Sequence, residues 1–303
     1  MPLIAPIALF CYNRLSHTQR TVEALRANSL ASESDLWIFS DGPRSQEDLV
    51  KVQKLRSYLT TITGFRAINL VERANNMGLA ASIIAGVSEL CDRFGRIIVV
   101  EDDLITAPFF LEFMNEALDI YADTDEVVSI HGYVFPSAKI LPDTFFLKGA
   151  DCWGWATWKR GWKLFNHDGA GLLEQLESRG LSREFDFDNT MGYTQMLRDQ
   201  IAGKVNSWAI RWYASAFLEN KLTLYPGISL VQNIGHDGSG VHCGISNTFD
   251  VSVAERKPML QKLPLIQSVE GRKAFESYFN SQRRLSLVGR IKRFFLDNKC
   301  LCC

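Results

Sequence analysis

Apolar and polar positions alternate in blocks along the first hundred residues. PIALFCYN (6–13) is almost continuously apolar and predicts a strand buried on both faces. SHTQRTVEALRAN (16–28) places Val22 and Leu25 on one side behind Ser16 as a capping residue, which predicts a helix. LWIFSDG (36–42) is a second strand that stops at Asp41-Gly42-Pro43, a turn signal. QEDLVKVQKLRSYL (46–59) has helical spacing, and FRAINLVER (65–73) is a third strand. NNMGLAASIIAGVSELCDRFG (75–95) reads as a helix entered through a polar turn containing a glycine, and RIIVVEDD (96–103) is the fourth strand. Strands this apolar, alternating with helices, predict an α/β fold with a mostly parallel central sheet flanked by helices.

The second half has a different rhythm. VVSIHGYVF (127–135) predicts another strand, after which DCWGWATWKRGWKLF (151–165) carries tryptophans at 153, 155, 158 and 162. That spacing is not helical throughout, so most of these rings belong to a core, with one or two facing a cleft. Residues 166–190, rich in Gly, Asp, Glu and Ser, read as a linker or insertion. Helices are expected over 190–202 and 206–221, and LTLYPGISLVQNIGHDGSG (222–240) reads as strand, turn, strand and a glycine-rich polar loop. Beyond 250 the pattern is that of a peripheral helix and tail, which suggests one main domain over 1–250 and an extension over 251–303.

Charge and cysteine usage narrow the class. A net charge of −1 gives no basic footprint for nucleic acid. No apolar run reaches the length of a membrane-spanning helix. The start, MPLIAPIALFCYNR, lacks the pattern of a signal peptide. The 7 cysteines include no CxxC pair, which argues against structural zinc and for free thiols in a reducing, cytoplasmic setting.

In parallel sheets, ligands bind beyond the carboxyl ends of the strands. Asn13, Asp41, Asn75 and the triplet Glu101-Asp102-Asp103 all fall at such ends. Adjacent carboxylates repel one another and resist burial. Either a divalent cation, Mg²⁺ or Mn²⁺, compensates them and holds a substrate phosphate, or two of the acids face solvent. GxGxxG, GxxxxGK[ST] and GxSxG are absent, so dinucleotide, P-loop and nucleophile-elbow readings lack support. His236, beside Asp237 in IGHDGSG, either completes a metal site or touches a diphosphate, or is incidental to a polar loop; His242 competes for that role. His131 either lines the pocket or is a satisfied, partly buried histidine.

Taken together, FCYNR, SDGP, NNMGLAASI, VVEDDLITAPFFLEFM, DCWGWATW and SWAIRW…LYPGISLVQNIGHDGSG give the chain a resemblance over 5–240. It resembles metal-dependent, nucleotide-sugar-using glycosyltransferases of the GT-A fold. It is most similar to the N-acetylglucosaminyltransferase I type and to bacterial relatives that build surface polysaccharides. The resemblance implies a nucleoside-diphosphate sugar donor, a UDP-sugar in the first instance. Asn13 and Arg14 would wrap the nucleotide. Asp41 would face the uracil, and the segment with Asn76 and Gly78 would close the other side of the base. Asp102 would approach the ribose or donor sugar, and Asp103 would bind Mn²⁺ or Mg²⁺, with Arg211 or His236 assisting the leaving group. The loop near 236–248 would order on donor binding and exclude water.

The chain departs from that pattern at the catalytic base. The related enzymes carry acids between closely spaced tryptophans, whereas Trp208-Ala209-Ile210-Arg211-Trp212 has none. Asp188, Asp199 or Asp151 is left to deprotonate the acceptor, though each taken singly reads more readily as a cap or surface acid. Inversion is the favoured outcome, with retention open. The stretch 283–303 sets six basic residues against Asp297, with Leu287, Ile291, Phe294 and Phe295 between them. It reads either as an amphipathic helix on an anionic membrane, suiting a lipid-linked glycan acceptor, or as a helix packed on the body. The rival to a hexosyl- or N-acetylhexosaminyltransferase is a catalytically impaired glycan-binding or scaffolding protein of the same fold.

Overall fold

The computed structural model describes residues 4–238 and 247–297, with side chains described through residue 283. The first half follows the predicted alternation: β1 (Ile7–Cys11), α1 (Leu15–Arg26), β2 (Asp35–Ser40), α2 (Gln46–Leu59), β3 (Ala67–Glu72), α3 (Leu79–Phe94) and β4 (Arg96–Glu101). β1 pairs in parallel with both β2 and β4, and β2 with β3. The apolar runs are explained by burial on both faces. Ile7 and Leu9 of β1 join Ile98 and Val100 of β4 in one core, while Ala8, Phe10, Ile97 and Val99 join the core on the other face. α3 buries Ile83, Val87, Leu90 and Cys91 at helical spacing against that second face.

The remaining elements are β5 (Leu104–Thr106), α4 (Phe110–Ile120), β6 (Val127–His131), β7 (Thr144–Lys148), β8 (Trp155–Trp158) and α5 (Lys159–Trp162). They continue through α6 (Gly169–Ser178), α7 (Ser182–Phe185), α8 (Tyr193–Ile201), α9 (Trp208–Leu218), β9 (Leu222–Pro226), β10 (Val231–Asn233) and α10 (Val269–Asp297). The central sheet runs β3-β2-β1-β4-β8-β6-β9-β7. Its first half is wholly parallel. Beyond β4, β8 enters antiparallel between β4 and β6, and β7 closes the edge antiparallel to β9.

One expectation gains detail here and another changes. The tryptophan-rich stretch supplies a central strand, β8, whose Trp155 is fully buried and stacks on Trp208 with ring centroids 5.5 Å apart. Removing such a ring costs about 3–5 kcal/mol. The supposed linker over 166–190 is also structured. Asp168 caps α6 by accepting from Gly171 N at 3.0 Å, and Leu172, Leu176 and Phe185 are buried. Its polar composition belongs to the outer face of those helices.

α10 begins by packing Phe275, Tyr278 and Phe279 around Phe135. No helix among the described residues is long and apolar enough to cross a membrane.

Candidate active site

The carboxyl ends of β1, β2 and β4 open into a cleft of about 370 Å³. Its lining includes Tyr12, Asn13, Arg14, Asp41, Arg44, Asn76 and Gly78 on one side, and Glu101, Asp102, Asp103, Trp153, Asn206, Asn233 and Gly235 on the other. Tyr12 and Gly235, 223 positions apart in the chain, are brought together by the fold.

Asp48 in the first turn of α2 holds the loop after β1. It accepts from Tyr12 Oη at 2.6 Å and from Asn13 Nδ2 at 2.8 Å. Asp41 organises the opposite turn. Its Oδ1 accepts from the backbone N–H of Gly42 and Met77, and its Oδ2 from Gly78 N and Asn76 Nδ2, all at 2.8–3.0 Å. The carboxylate expected to face a base therefore spends both oxygens on the protein and shapes the wall instead. Gly42 follows for steric reasons, since a Cβ there would lie 2.4 Å from the Asn75 carbonyl carbon.

The acid triplet is pinned from both sides. The Asp102 carbonyl accepts from buried Thr21 Oγ1 at 2.8 Å, and the Asp103 carbonyl from Ile234 N at 2.8 Å. Short β5 pairs antiparallel with β10, which delivers Asn233 and Gly235 to Asp103. Arg14 is the counter-charge. One nitrogen, Nη2, donates to Asp102 Oδ1 and also to Asp103 Oδ2, the latter at 2.8 Å. Burial works against the Arg14 charge, but the two carboxylates more than offset it and keep the guanidinium protonated.

One guanidinium does not balance three acids. Burial, reinforced by the charges of Asp103 and Asp102, pushes the Glu101 carboxyl up to about 8. Burial likewise carries Asp102 to about 6 against the pull of Arg14. Ionising three adjacent buried carboxyls beside one guanidinium is therefore costly, and a divalent cation would relieve that cost. Among the described residues, no three His, Cys, Asp or Glu side chains converge as a closed ligand set. An ion here would rest on Asp103 and complete its shell with phosphate oxygens and water, the usual habit of Mg²⁺ and Mn²⁺. His236 follows Gly235 in the chain but is not among the residues lining the cleft. Its ring lies 5.6 Å from that of Trp153 and 4.8 Å from that of Phe249, and its buried Nε2 has no hydrogen-bond partner among the described residues. The residues present fit a cation-assisted site.

Trp153 is the tryptophan that faces the cleft. Its backbone N–H donates to Nε2 of fully buried His131 at 3.0 Å, so His131 is a structural anchor.

The candidate bases separate clearly. Asp188 pairs with Arg183 at 2.9 Å and Arg272 at 3.2 Å, and Asp199 with Lys204 at 3.0 Å. The hydrogen bond from Arg272 lowers the Asp188 pKa, and that from Lys204 lowers the pKa of Asp199. None of the three, Asp151 included, is among the residues lining the cleft. Asp151 is half-buried two residues from Trp153; its Oδ1 accepts from Cys152 N at 2.9 Å, and no cation among the described residues pairs with it. Arg211 stays outside the lining. It is buried on α9, donating to the Ser207 carbonyl at 3.2 Å and the His167 carbonyl at 3.4 Å. His242 lies outside the described residues, as does most of the 236–248 loop.

Arg14 as the partner of the acid triplet, and Gly235 against Asp103, are absent from the pairings read in the sequence. The signal for Gly235 is its place in a polar glycine-rich loop after a strand.

No protein-family model and no curated protein matches the sequence. Several solved structures superpose in part. A mannosyltransferase from Pyrobaculum calidifontis, in complex with GDP-mannose and Mn²⁺, is 12% identical over 44% of this chain and 36% of that chain, with a TM-score of 0.32. TarS of S. aureus, residues 1–349, is 9% identical over 75% and 58%, with a TM-score of 0.39. Mouse xyloside xylosyltransferase 1, in its apo form, is 10% identical over 43% and 53%, with a TM-score of 0.31. Across the structures compared, the chain spans between 24% and 58% of their length. The chemistry of the cleft rests on its own residues.

Proposed function

We propose that this chain is a cation-dependent glycosyltransferase that moves a sugar from a nucleoside-diphosphate sugar, a UDP-sugar in the first instance, to a hydroxyl of a glycan or lipid-linked glycan. The observation that carries the reading is the meeting of Arg14, Asp102 and Asp103 in a cleft that also holds the Tyr12-Asn13 loop and the Asp41-organised turn. Such a cleft suits a ligand that is planar and polar at one end and doubly anionic in the middle.

The nucleoside would lie between the Tyr12-Asn13 loop and the turn at Asn76 and Gly78, with Asp41 fixing that turn from behind. Asp102 would meet the ribose or donor sugar. Asp103, assisted by His236, would hold Mn²⁺ or Mg²⁺, which when bound neutralises the charge that grows on the departing diphosphate. Arg14 supplies a further positive charge at the same place. Trp153 offers a ring face to the sugar and shields the reacting bond from water.

Asp151 is the base this reading favours for the acceptor hydroxyl. It adjoins Trp153 and makes no ion pair among the described residues, whereas Asp188 and Asp199 are held in ion pairs. Attack on the face opposite the leaving group then inverts the anomeric centre. Whether the sugar is a hexose or an N-acetylhexosamine depends on walls near Trp153 and Asn206. A cytoplasmic enzyme working at the inner face of a membrane, held there by the basic residues of 283–303, completes the proposal.

The reading is tested by incubating the protein with a panel of UDP- and GDP-sugars and measuring release of the nucleoside diphosphate with and without Mn²⁺. Metal-dependent release from one donor, lost in Asp103→Asn, supports it. Absence of release and of nucleotide binding across the panel overturns it.

A further inference from the structure

The same nitrogen of Arg14 contacts both Asp102 and Asp103. Arg14 is largely buried, its side chain 19% exposed, while those of the two acids are 7% and 14% exposed. The guanidinium therefore stands where a cation shared by these carboxylates would stand. Arg14 precedes the first residue of α1, and its backbone carbonyl accepts from Thr18 N at 3.0 Å. The main chain is thus fixed while the side chain ends in the cleft. No other cationic side chain among the described residues is in salt-bridge contact with Asp102 or Asp103.

From this, resting on the functional reading above, we infer that Arg14 is a positioning residue that occupies the cation seat in the nucleotide-free protein and yields it only when a diphosphate takes up its guanidinium. A divalent ion arriving at Asp103 alone meets a fixed positive charge at close range and must displace a charge-assisted hydrogen bond. A nucleoside diphosphate likewise presents anionic oxygens, and a guanidinium binds either carboxylate or phosphate. When Arg14 turns to the phosphates, Asp103 is released for the ion. The ion and the nucleotide consequently bind with strong mutual dependence. Arg14 converts two weak binding events into one ordered event and keeps free metal out of the resting cleft.

The linkage is reciprocal: the factor by which the nucleotide raises Mn²⁺ affinity equals the factor by which Mn²⁺ raises nucleotide affinity. Free Mn²⁺ is followed by electron paramagnetic resonance, with and without saturating UDP, on wild type, Arg14→Met and Arg14→Gln. In wild type, UDP is expected to raise Mn²⁺ affinity at least about tenfold, the scale of one charge-assisted hydrogen bond. In either neutral variant, Mn²⁺ affinity without nucleotide rises by about the same factor, UDP affinity falls, and the coupling shrinks. Thermal melts of both variants establish that the fold is intact, and two side chains of different polarity guard against a variant that fails to fold. If wild type binds Mn²⁺ equally well with and without UDP, or if neither variant gains nucleotide-free affinity, Arg14 does not guard the seat. If wild type binds no UDP with Mn²⁺ at millimolar concentration, the functional reading falls, and this inference with it.

Discussion

A Cβ placed on Gly235 would fall 2.2 Å from Oδ2 of Asp103, and 3.2 Å from Oδ1 of Asn233. The loop after β10 is therefore seated directly on the carboxylate proposed to hold the cation. Gly235→Ala must push that carboxylate away from Arg14 or lift the loop. Nucleotide affinity in the presence of Mn²⁺ is expected to fall about tenfold, roughly one charged hydrogen bond, while the melting temperature drops by only a few degrees. Calorimetric titration of UDP with Mn²⁺, beside a thermal melt, checks both halves.

Asp41 receives four hydrogen bonds on two buried oxygens. An amide in its place turns an –NH₂ group toward backbone N–H donors whichever way it is oriented. Asp41→Asn is expected to cost about 2–4 kcal/mol, the loss of charge-assisted bonds plus a donor facing donors. Urea unfolding measures this, and an unchanged midpoint would mean that the 75–78 turn does not depend on Asp41.

Asp151→Asn is expected to lower kcat by about 10²–10⁴, the usual reach of a general base, with donor binding unchanged. Asp188→Asn and Asp199→Asn should stay within a fewfold of wild type, because both acids are engaged in exposed ion pairs away from the cleft. Steady-state rates on the active donor, with donor affinity measured separately, distinguish the three.

His131 is fully buried, and its Nε2 must remain unprotonated to accept from Trp153 N. Burial is the largest influence on this ring and holds its pKa below the ordinary value, against smaller opposing effects of Asp151 and a backbone hydrogen bond. The folded state then takes up a proton less readily than the unfolded chain. The stabilisation is complete above about pH 6.5, the unfolded value, and is lost as pH falls through the depressed folded value. Chemical denaturation from pH 7.5 to 5.5 should show falling stability in wild type and a shallower fall in His131→Gln.

The parallel half of the sheet was legible because each of its strands is buried on two faces and each helix carries its own spacing. The acid triplet announced itself for the same reason, as a polar break at the tip of β4. What escaped depends on partners distant in the chain. WATW reads as an aromatic run until β4 and β6 flank it as antiparallel neighbours. β7 is five residues long and gains its place only by pairing with β9. Asp188 and Asp151 look alike as isolated acids, and nothing local says that Arg272, 84 positions away, neutralises the first. Arg14 stands 88 positions before Asp102, so a strand-end arginine could be assigned to a nucleotide but not to the acids it contacts. Asp41 is the converse case: a turn acid chosen for a ligand, whose oxygens are taken by its own neighbours.

The most direct test of the central claim is a thermal-shift series of UDP and GDP, each with and without Mn²⁺, on wild type and Asp103→Asn. A ligand that binds only the folded state must raise its melting temperature. The account predicts a shift with a nucleoside diphosphate and Mn²⁺ together that exceeds the sum of the separate shifts, and its loss in Asp103→Asn. No shift with either nucleotide at millimolar concentration, or an undiminished shift in Asp103→Asn, would contradict it.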